Sequence, residues 1–340
     1  MKILAPVNKA AEVDTLADAG ADELYCGMLP PEWKRLYSNV VSPNRREWSS
    51  ANLGGPEELA AVAERAHRRG LRLLFTLNAL YTEAQYPLVR EAVAAARAAK
   101  ADALVVADLG LLLELGRDSG LELHLSTGGT VFNAEAARFY QGLGVKRVTV
   151  PRHLQPAETA ALIRDCPGLE FEVFALNSGC KNIDGFCTFL HGTSELRYGS
   201  LWRAAKRLNF DRFLLGLLKR AGLAGNLGLA GVDSPCLHNY RISVERSADK
   251  TAAQAETLER NLAAYFSLLS GADPCAACRA AEFQAMGVHG LKIVGRNYST
   301  GQKAADVRFL KAVLAAPGRA RQLYREHYGS DCRRLCYYPE

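Results

Sequence analysis

The chain has 340 residues, of which 49% are apolar, 23% charged and 8% aromatic, with 29 Gly and 13 Pro. That composition excludes wholesale disorder, collagen-like repeats and low-complexity character, and the length suits two ordinary domains or one large α/β barrel. The 42 basic and 36 acidic residues leave a charge of +6, scattered over separated pairs such as Arg45-Arg46 and Lys219-Arg220, which reads as a solvated surface rather than a dedicated nucleic-acid face.

Short apolar runs predict strands over 3–7, 23–26, 72–77, 103–107, 122–125, 147–150 and 171–176. Between them, Ala/Leu/Arg/Glu stretches at helical spacing predict helices over 9–19, 56–69, 86–99, 109–118, 133–143 and 156–165. Pro56-Glu57-Glu58 and Asn133-Ala134-Glu135 are good helix starts. An eighth strand, 291–294, arrives only much later and is followed by a helix over 302–314. Eight strand–helix units predict a closed (β/α)₈ TIM-like barrel with a long cysteine-bearing insertion between strands 7 and 8. No Gly-x-Gly-x-x-Gly follows the first strand, against a dinucleotide-binding sheet. The expected organisation is 1–176 for strands 1–7 and their helices, 177–288 for the insertion, 289–316 for strand 8 and the last helix, and 317–340 for a tail. The opening apolar run is too short for a signal peptide, and no stretch approaches the ~18 uncharged apolar residues of a membrane span. The expectation is a cytoplasmic protein with reduced thiols and no membrane span.

Nine cysteines in a chain this large are not a disulfide scaffold. Cys26 and Cys166 are expected to be packing residues. Cys180 lies just past the seventh strand, Cys187 follows seven residues later, and Cys236 stands in Asp233-Ser-Pro-Cys-Leu-His-Asn-Tyr240. Cys275 and Cys278 form a Cys-x-x-Cys opening a helix over 279–286, whose amino end should face the barrel mouth. Five thiols (Cys180, Cys187, Cys236, Cys275 and Cys278) at the carboxyl ends of the strands suit a soft metal centre, an iron–sulfur cluster or a structural zinc. Cys332 and Cys336, in the tail, are either extra ligands or have no part in the site, and His191 and His238 stand near cluster cysteines.

Polar residues recur at the strand ends, where a barrel exposes its chemistry. Asn78 ends the third strand, His124 and Ser126 share one face of the fifth, Arg152 follows the sixth, Glu172 lies in the seventh, and Lys292 and Arg296 flank the eighth. Arg46, Arg152, Lys292 and Arg296 suit a small dicarboxylate through charge-assisted hydrogen bonds. His124, Glu172 and Lys292 are the candidate catalytic groups, with His124 a proton carrier from its ordinary pKa near neutrality. Arg46, Asn52, Asn78, Ser126, Arg152 and Arg296 are the candidate substrate contacts.

From Leu4-Ala-Pro6 through Gly20-Ala-Asp-Glu-Leu-Tyr-Cys-Gly27, Ala101-Asp-Ala-Leu-Val-Val-Ala-Asp108, Val148-Thr-Val-Pro-Arg152, Glu170-Phe-Glu-Val-Phe174 and Gly290-Leu-Lys-Ile-Val-Gly-Arg296, the sequence resembles the collagenase-like peptidase family U32. Its relatives include the ubiquinone-biosynthesis proteins U and V and the tRNA and ribosomal RNA hydroxylation proteins. The resemblance implies a [4Fe–4S] cluster, oxygen-independent hydroxylation of a small aromatic or an RNA base, and prephenate as the oxygen source. It carries cluster ligands onto Cys180, Cys187 and Cys236. A further family ligand position has no cysteine here, and Cys275 or Cys278 could supply the bond. Arg46 and Asn52 match a family Arg…Asn pair. Two rival expectations stand beside this one: a metal-dependent peptidase, and a non-catalytic iron–sulfur subunit pairing with a paralogue. The sequence shows no His-Glu-x-x-His zinc site and no nucleophile with a recognisable base.

Overall fold

A computed structural model describes residues 1–37, 42–46, 49–116, 119–177, 184, 254, 274–332 and 336–338. Eight parallel strands, β1 (Lys2–Pro6), β2 (Glu23–Cys26), β3 (Arg72–Leu77), β4 (Ala103–Val106), β5 (Glu122–Leu125), β6 (Val145–Thr149), β7 (Glu170–Leu176) and β8 (Gly290–Ile293), close in sequence order into a barrel. The seam is sealed by β1 pairing with β8, Lys2 opposite Gly290 and Leu4 opposite Lys292. Around it run α1 (Val13–Asp18), α2 (Pro31–Tyr37), α3 (Pro56–Arg68), α4 (Tyr86–Ala98), α5 (Leu109–Leu115), α6 (Ala134–Gly142), α7 (Pro156–Asp165), α8 (Ala280–Ala285), α9 (Thr300–Ala315) and α10 (Ala320–Tyr328). The expected (β/α)₈ barrel is the fold found. Among the described residues no helix is long and apolar enough to cross a membrane.

The period of two along each strand sorts the side chains. Leu24, Leu73, Phe75, Leu123, Leu125 and Val173 turn outward into one apolar core shared with the helices. Leu4, Tyr25, Leu74, Ala103 and Val105 form a separate small apolar cluster. Local chemistry fixes the helix starts. Asp108 accepts the Leu111 N–H at 2.8 Å to begin α5, and Asn133 accepts the Ala136 N–H at 2.9 Å to begin α6. Pro156 opens α7 inside a capping box of Gln155 and Glu158.

Two helices escaped the sequence reading. α2 lies in the loop after β2. α10 falls within the stretch expected to be a tail, and it ends at Gly329, whose φ of 68° suits glycine. Leu323 and Tyr324 of α10 are buried, and the Tyr324 ring meets Phe309 of α9 edge-on at 5.6 Å. Tyr328 donates to the buried Asp306 carboxylate at 2.6 Å, and Asn177, just past β7, donates to the same carboxylate at 2.8 Å. The expected helix over 279–286 is shorter, 280–285, and Cys278 lies in a preceding 3₁₀ turn, Ala277–Arg279.

The amino-terminal half of the barrel interior is filled by an ionic network. Arg147 of β6 is fully buried and donates to both Glu23 oxygens, at 2.5 and 3.0 Å, and to Glu170 at 2.8 Å. Its guanidinium also lies 3.7 Å from the Glu172 carboxylate. Arg147 thus ties β6 to β2 across the barrel and to neighbouring β7. Removing one partner of such a network leaves the others charged and buried, at a cost of about 3–5 kcal/mol. Arg147→Met should lose stability on that order in urea unfolding, with Arg147→Lys losing less; a loss below about 1 kcal/mol for Arg147→Met would show that the network does not hold the barrel together.

Candidate functional site

The floor of the carboxyl-terminal half is built by β2, β7 and β8. Lys292 donates to Glu172 Oε1 at 2.8 Å, and Thr149 reaches the same oxygen at 3.2 Å. Burial pushes the Glu172 carboxyl up, but Lys292 and Arg147 outweigh it and hold the carboxyl below its ordinary range. The Lys292 ammonium sits 4.7 Å from the centre of the Tyr25 ring, and the Tyr25 hydroxyl donates to the Ile293 carbonyl at 2.9 Å. Burial raises the Tyr25 phenol to about 12, so it stays protonated. Glu172 and Lys292 are therefore paired with each other beside the Tyr25 ring.

His124 behaves differently from its expectation. It is 2% exposed, and neither ring nitrogen has a hydrogen-bond partner; Nε2 lies 3.9 Å from the Glu122 carboxylate. Burial, followed by the positive charge of Arg147, lowers its pKa to about 3. At neutral pH the ring is uncharged, and its titration lies well below the ordinary value from which the proton-carrying role was inferred.

The rim is organised by Arg296, which follows β8 and is 4% exposed. Its guanidinium donates to the Asn44 carbonyl at 2.8 Å, the Asn44 side-chain oxygen at 3.0 Å and the Thr76 hydroxyl at 3.2 Å. All three acceptors are neutral, and among the described residues Arg296 makes no ion pair. Burial, then repulsion by Arg46, lowers its pKa to about 10. Asn44 in turn donates to Asn52 at 2.6 Å, and Asn52 donates to the Arg46 carbonyl at 2.7 Å. The Arg46…Asn52 pair is thereby given a geometry: Asn52 holds the backbone of Arg46 while bracing Asn44 against Arg296. Gly27 makes room for this, since a Cβ there would fall 2.0 Å from Arg296 Nη1 and 2.6 Å from Asn44 Nδ2.

Asn78 and Ser126, expected on the same rim, meet at 3.2 Å, and among the described residues the buried Asn78 Oδ1 accepts no hydrogen bond. Arg152 is engaged otherwise than expected. It pairs with Asp184 at 2.6 Å and lies 3.6 Å above the Phe174 ring, so its charge is already balanced by a buried carboxylate.

Of the cysteines, Cys26 and Cys166 are buried in the apolar core, and burial pushes both thiols up, Cys26 to about 12. Cys180, Cys187 and Cys236, with His191 and His238, lie outside the described residues. Cys275 is held against the carboxyl end of β7: Ala276 donates to the Ala175 carbonyl at 2.8 Å, and Asn177 donates to the Pro274 carbonyl at 3.0 Å. The structure brings Cys275 and Cys278 to one cavity with Cys332 and Cys336.

The family model for peptidase family U32 matches residues 8–199, more than half of the chain. The chain belongs to peptidase family U32. An uncharacterized protease of Methanocaldococcus jannaschii is 29% identical over 191 residues, covering 55% of this chain and 43% of that protein. A collagenase of Porphyromonas gingivalis is 28% identical over 196 residues, covering 55% and 44%. A tRNA hydroxylation protein P of Helicobacter pylori is 25% identical over 188 residues, covering 55% and 42%. The chain spans less than half the length of these U32 relatives. The matched stretch contains Arg46, Asn52, Asn78, His124, Ser126, Arg152 and Glu172, whereas Lys292 and Arg296 lie beyond it.

Sequence reasoning missed Asn44, Thr76 and Tyr25 as parts of this U32 site. Tyr25 and Thr76 face inward by strand alternation, a signal that was available; Asn44 sits in a loop with none. The neutral state of His124 has a consequence for stability. The unfolded ring takes up a proton near its ordinary value of 6.5, whereas the folded ring resists until about pH 3. Its contribution is full above pH 6.5 and is lost progressively as pH falls towards 3. His124→Leu should flatten the dependence of the urea midpoint on pH between 6.5 and 4.5; an unchanged slope would mean that another group sets it.

Proposed function

We propose that this chain is an oxygen-independent hydroxylase-type enzyme whose barrel mouth binds a small carboxylate beside the aromatic ring or RNA base to be modified. The observation that carries the reading is Arg296: a guanidinium 4% exposed, bonded among the described residues only to neutral acceptors, with Arg46 adding positive potential. Buried charge without a counter-ion is costly, and an anionic ligand would offset that cost. The tRNA hydroxylation protein among the relatives supports the reaction class and makes RNA a plausible substrate; the family resemblance names prephenate as the donor.

The [4Fe–4S] cluster implied by that resemblance needs thiolates at the mouth. Cys180, Cys187 and Cys236 carry the proposal from sequence. When bound, the cluster would supply one-electron chemistry at the mouth. The protein's own groups would do the positioning. Arg296 and Arg46 would hold the carboxylate. Asn78, whose Oδ1 is unsatisfied among the described residues, would accept a hydrogen bond from hydroxyl or amine. The Lys292 ammonium, fixed by Glu172, would place positive charge beneath the bound anion.

Binding of prephenate to anaerobically purified protein, followed by calorimetry, tests the anion site. Arg296→Gln should weaken it at least tenfold, and Gly27→Ala should weaken it by displacing Arg296 without removing its charge. Equal binding by both variants would remove Arg296 from the site. Cys180→Ala and Cys187→Ala should each lose iron and inorganic sulfide. Hydroxylated nucleosides or metabolites should fall when the protein is absent from cells; chelator-sensitive peptide cleavage that survives loss of every cluster cysteine would instead establish the peptidase reading.

A further inference from the structure

Cys275, Cys278, Cys332 and Cys336 line one cavity of about 840 Å³, where the turn before α8, helix α10 and the carboxyl-terminal tail meet. None of the polar residues of the barrel interior lines it. The backbone brings the two cysteine pairs together. Cys275 bridges antiparallel to Leu176 of β7 and parallel to Cys336 of the tail, with the Tyr337 N–H donating to the Cys275 carbonyl at 3.1 Å. The Ala277 N–H points at Cys275 Sγ, 3.4 Å away. Cys278 sits on that same 3₁₀ turn.

The spacing is Cys-x₂-Cys followed by Cys-x₃-Cys. Pairs spaced in this way are the usual donors of a closed tetrahedral thiolate site. Such a site around a divalent ion carries a net charge of −2, and Arg279, Arg321 and Arg325 stand in the cavity wall to offset it. Arg325 shares its charge with Asp331 at 2.8 Å. Among the described residues no three ligand side chains are yet gathered around one point. Ligation would have to bring the exposed Cys332 and Cys336 to the Cys275–Cys278 turn.

We propose that Cys275, Cys278, Cys332 and Cys336 bind one zinc ion as a tetrathiolate and so latch the tail onto the end of β7. The four thiols lose four protons to solvent as four Zn–S bonds form, with no change of oxidation state. The latch reaches the mouth through the tail: Tyr337 stacks on Phe174 at 6.5 Å and donates to the Asn177 carbonyl, while the other contact of Phe174 is the Arg152 guanidinium. The proposal takes Cys275 and Cys278 out of the mouth cluster's ligand set, leaving that cluster to Cys180, Cys187 and Cys236.

The test is metal analysis of the full chain, purified anaerobically without chelator, as wild type, Cys332→Ser/Cys336→Ser and Cys180→Ser/Cys187→Ser. The expected result is one zinc per chain in the wild type. The tail variant should lose it with iron unchanged, and the Cys180/Cys187 variant should lose iron with zinc unchanged. Cobalt added to zinc-depleted protein should give the thiolate-to-metal and tetrahedral ligand-field bands, absent from the tail variant. Zinc content unmoved by Cys332→Ser/Cys336→Ser, or iron lost in its place, would overturn the latch. Zinc-bearing wild type without iron would sink the mouth cluster while leaving the latch intact.

Discussion

A barrel of eight short strands encloses a space that side chains must fill, and here the filling rests on the buried guanidinium of Arg147. Its hydrogen bonds to Glu23 and Glu170 span the interior from β2 to β7. An apolar filling would have been cheaper, because two charges taken from water repay the loss only when geometry and extra hydrogen bonds are good. The return on this arrangement is directional. Each carboxylate fixes the register of its strand relative to the others, and Glu172, lying between Arg147 and Lys292, passes that order upward into the functional half. The ammonium of Lys292 is consequently held under the Tyr25 ring with its rotamer settled before any ligand arrives.

The rim is built on the opposite electrostatic principle. Below, Arg147 and Lys292 have acidic partners; above, among the described residues, Arg296 has only amide, carbonyl and hydroxyl oxygens. The depression of its pKa to about 10 records the cost of that burial next to Arg46. A protein that balances Arg147 and Lys292 so fully, and pairs Lys303 with Glu12 at 2.9 Å where both are 1% exposed, does not lack the means to balance Arg296. The proposed anion site rests on that contrast within one molecule. Gly27 belongs to the same device, because its missing Cβ is the space in which the guanidinium lies.

The fold was legible because strand and helix periods alternate cleanly, so eight strands could be placed to within a residue or two. The ends of the chain were less so. α10 is nine residues long and its apolar face is only Ala320, Leu323 and Tyr324, too little to stand out before α9 is present to receive it. Within the site, residue types at strand ends identified Glu172, Lys292, Asn78, Ser126 and Arg296, since alternation decides which side chains face inward. Their states were beyond the sequence. Whether His124 titrates near neutrality depends on Arg147, more than twenty positions away and one strand over, and whether Arg152 is available depends on Asp184. Electrostatic partnership is set by the closed barrel and leaves no periodic trace.

The cysteines make the same point at longer range. Grouping by sequence joined Cys275 and Cys278 to Cys180, Cys187 and Cys236, because all five precede β8 and follow β7. The closed barrel adds a neighbour that chain order hides: α9 carries the chain away from β8, α10 folds it back along α9, and the tail returns to β7 beside Cys275. A strand-end thiol is therefore reached from two directions, by the segment before β8 and by the last residues described. Asp306 reinforces this return by accepting hydrogen bonds from both Asn177 and Tyr328, so α10 and the end of β7 share one buried carboxylate. An arrangement that spends a buried acidic group on docking its tail brings Cys336 beside Cys275 at the end of β7, and the adjoining Tyr337 lies against the Phe174 ring that Arg152 covers.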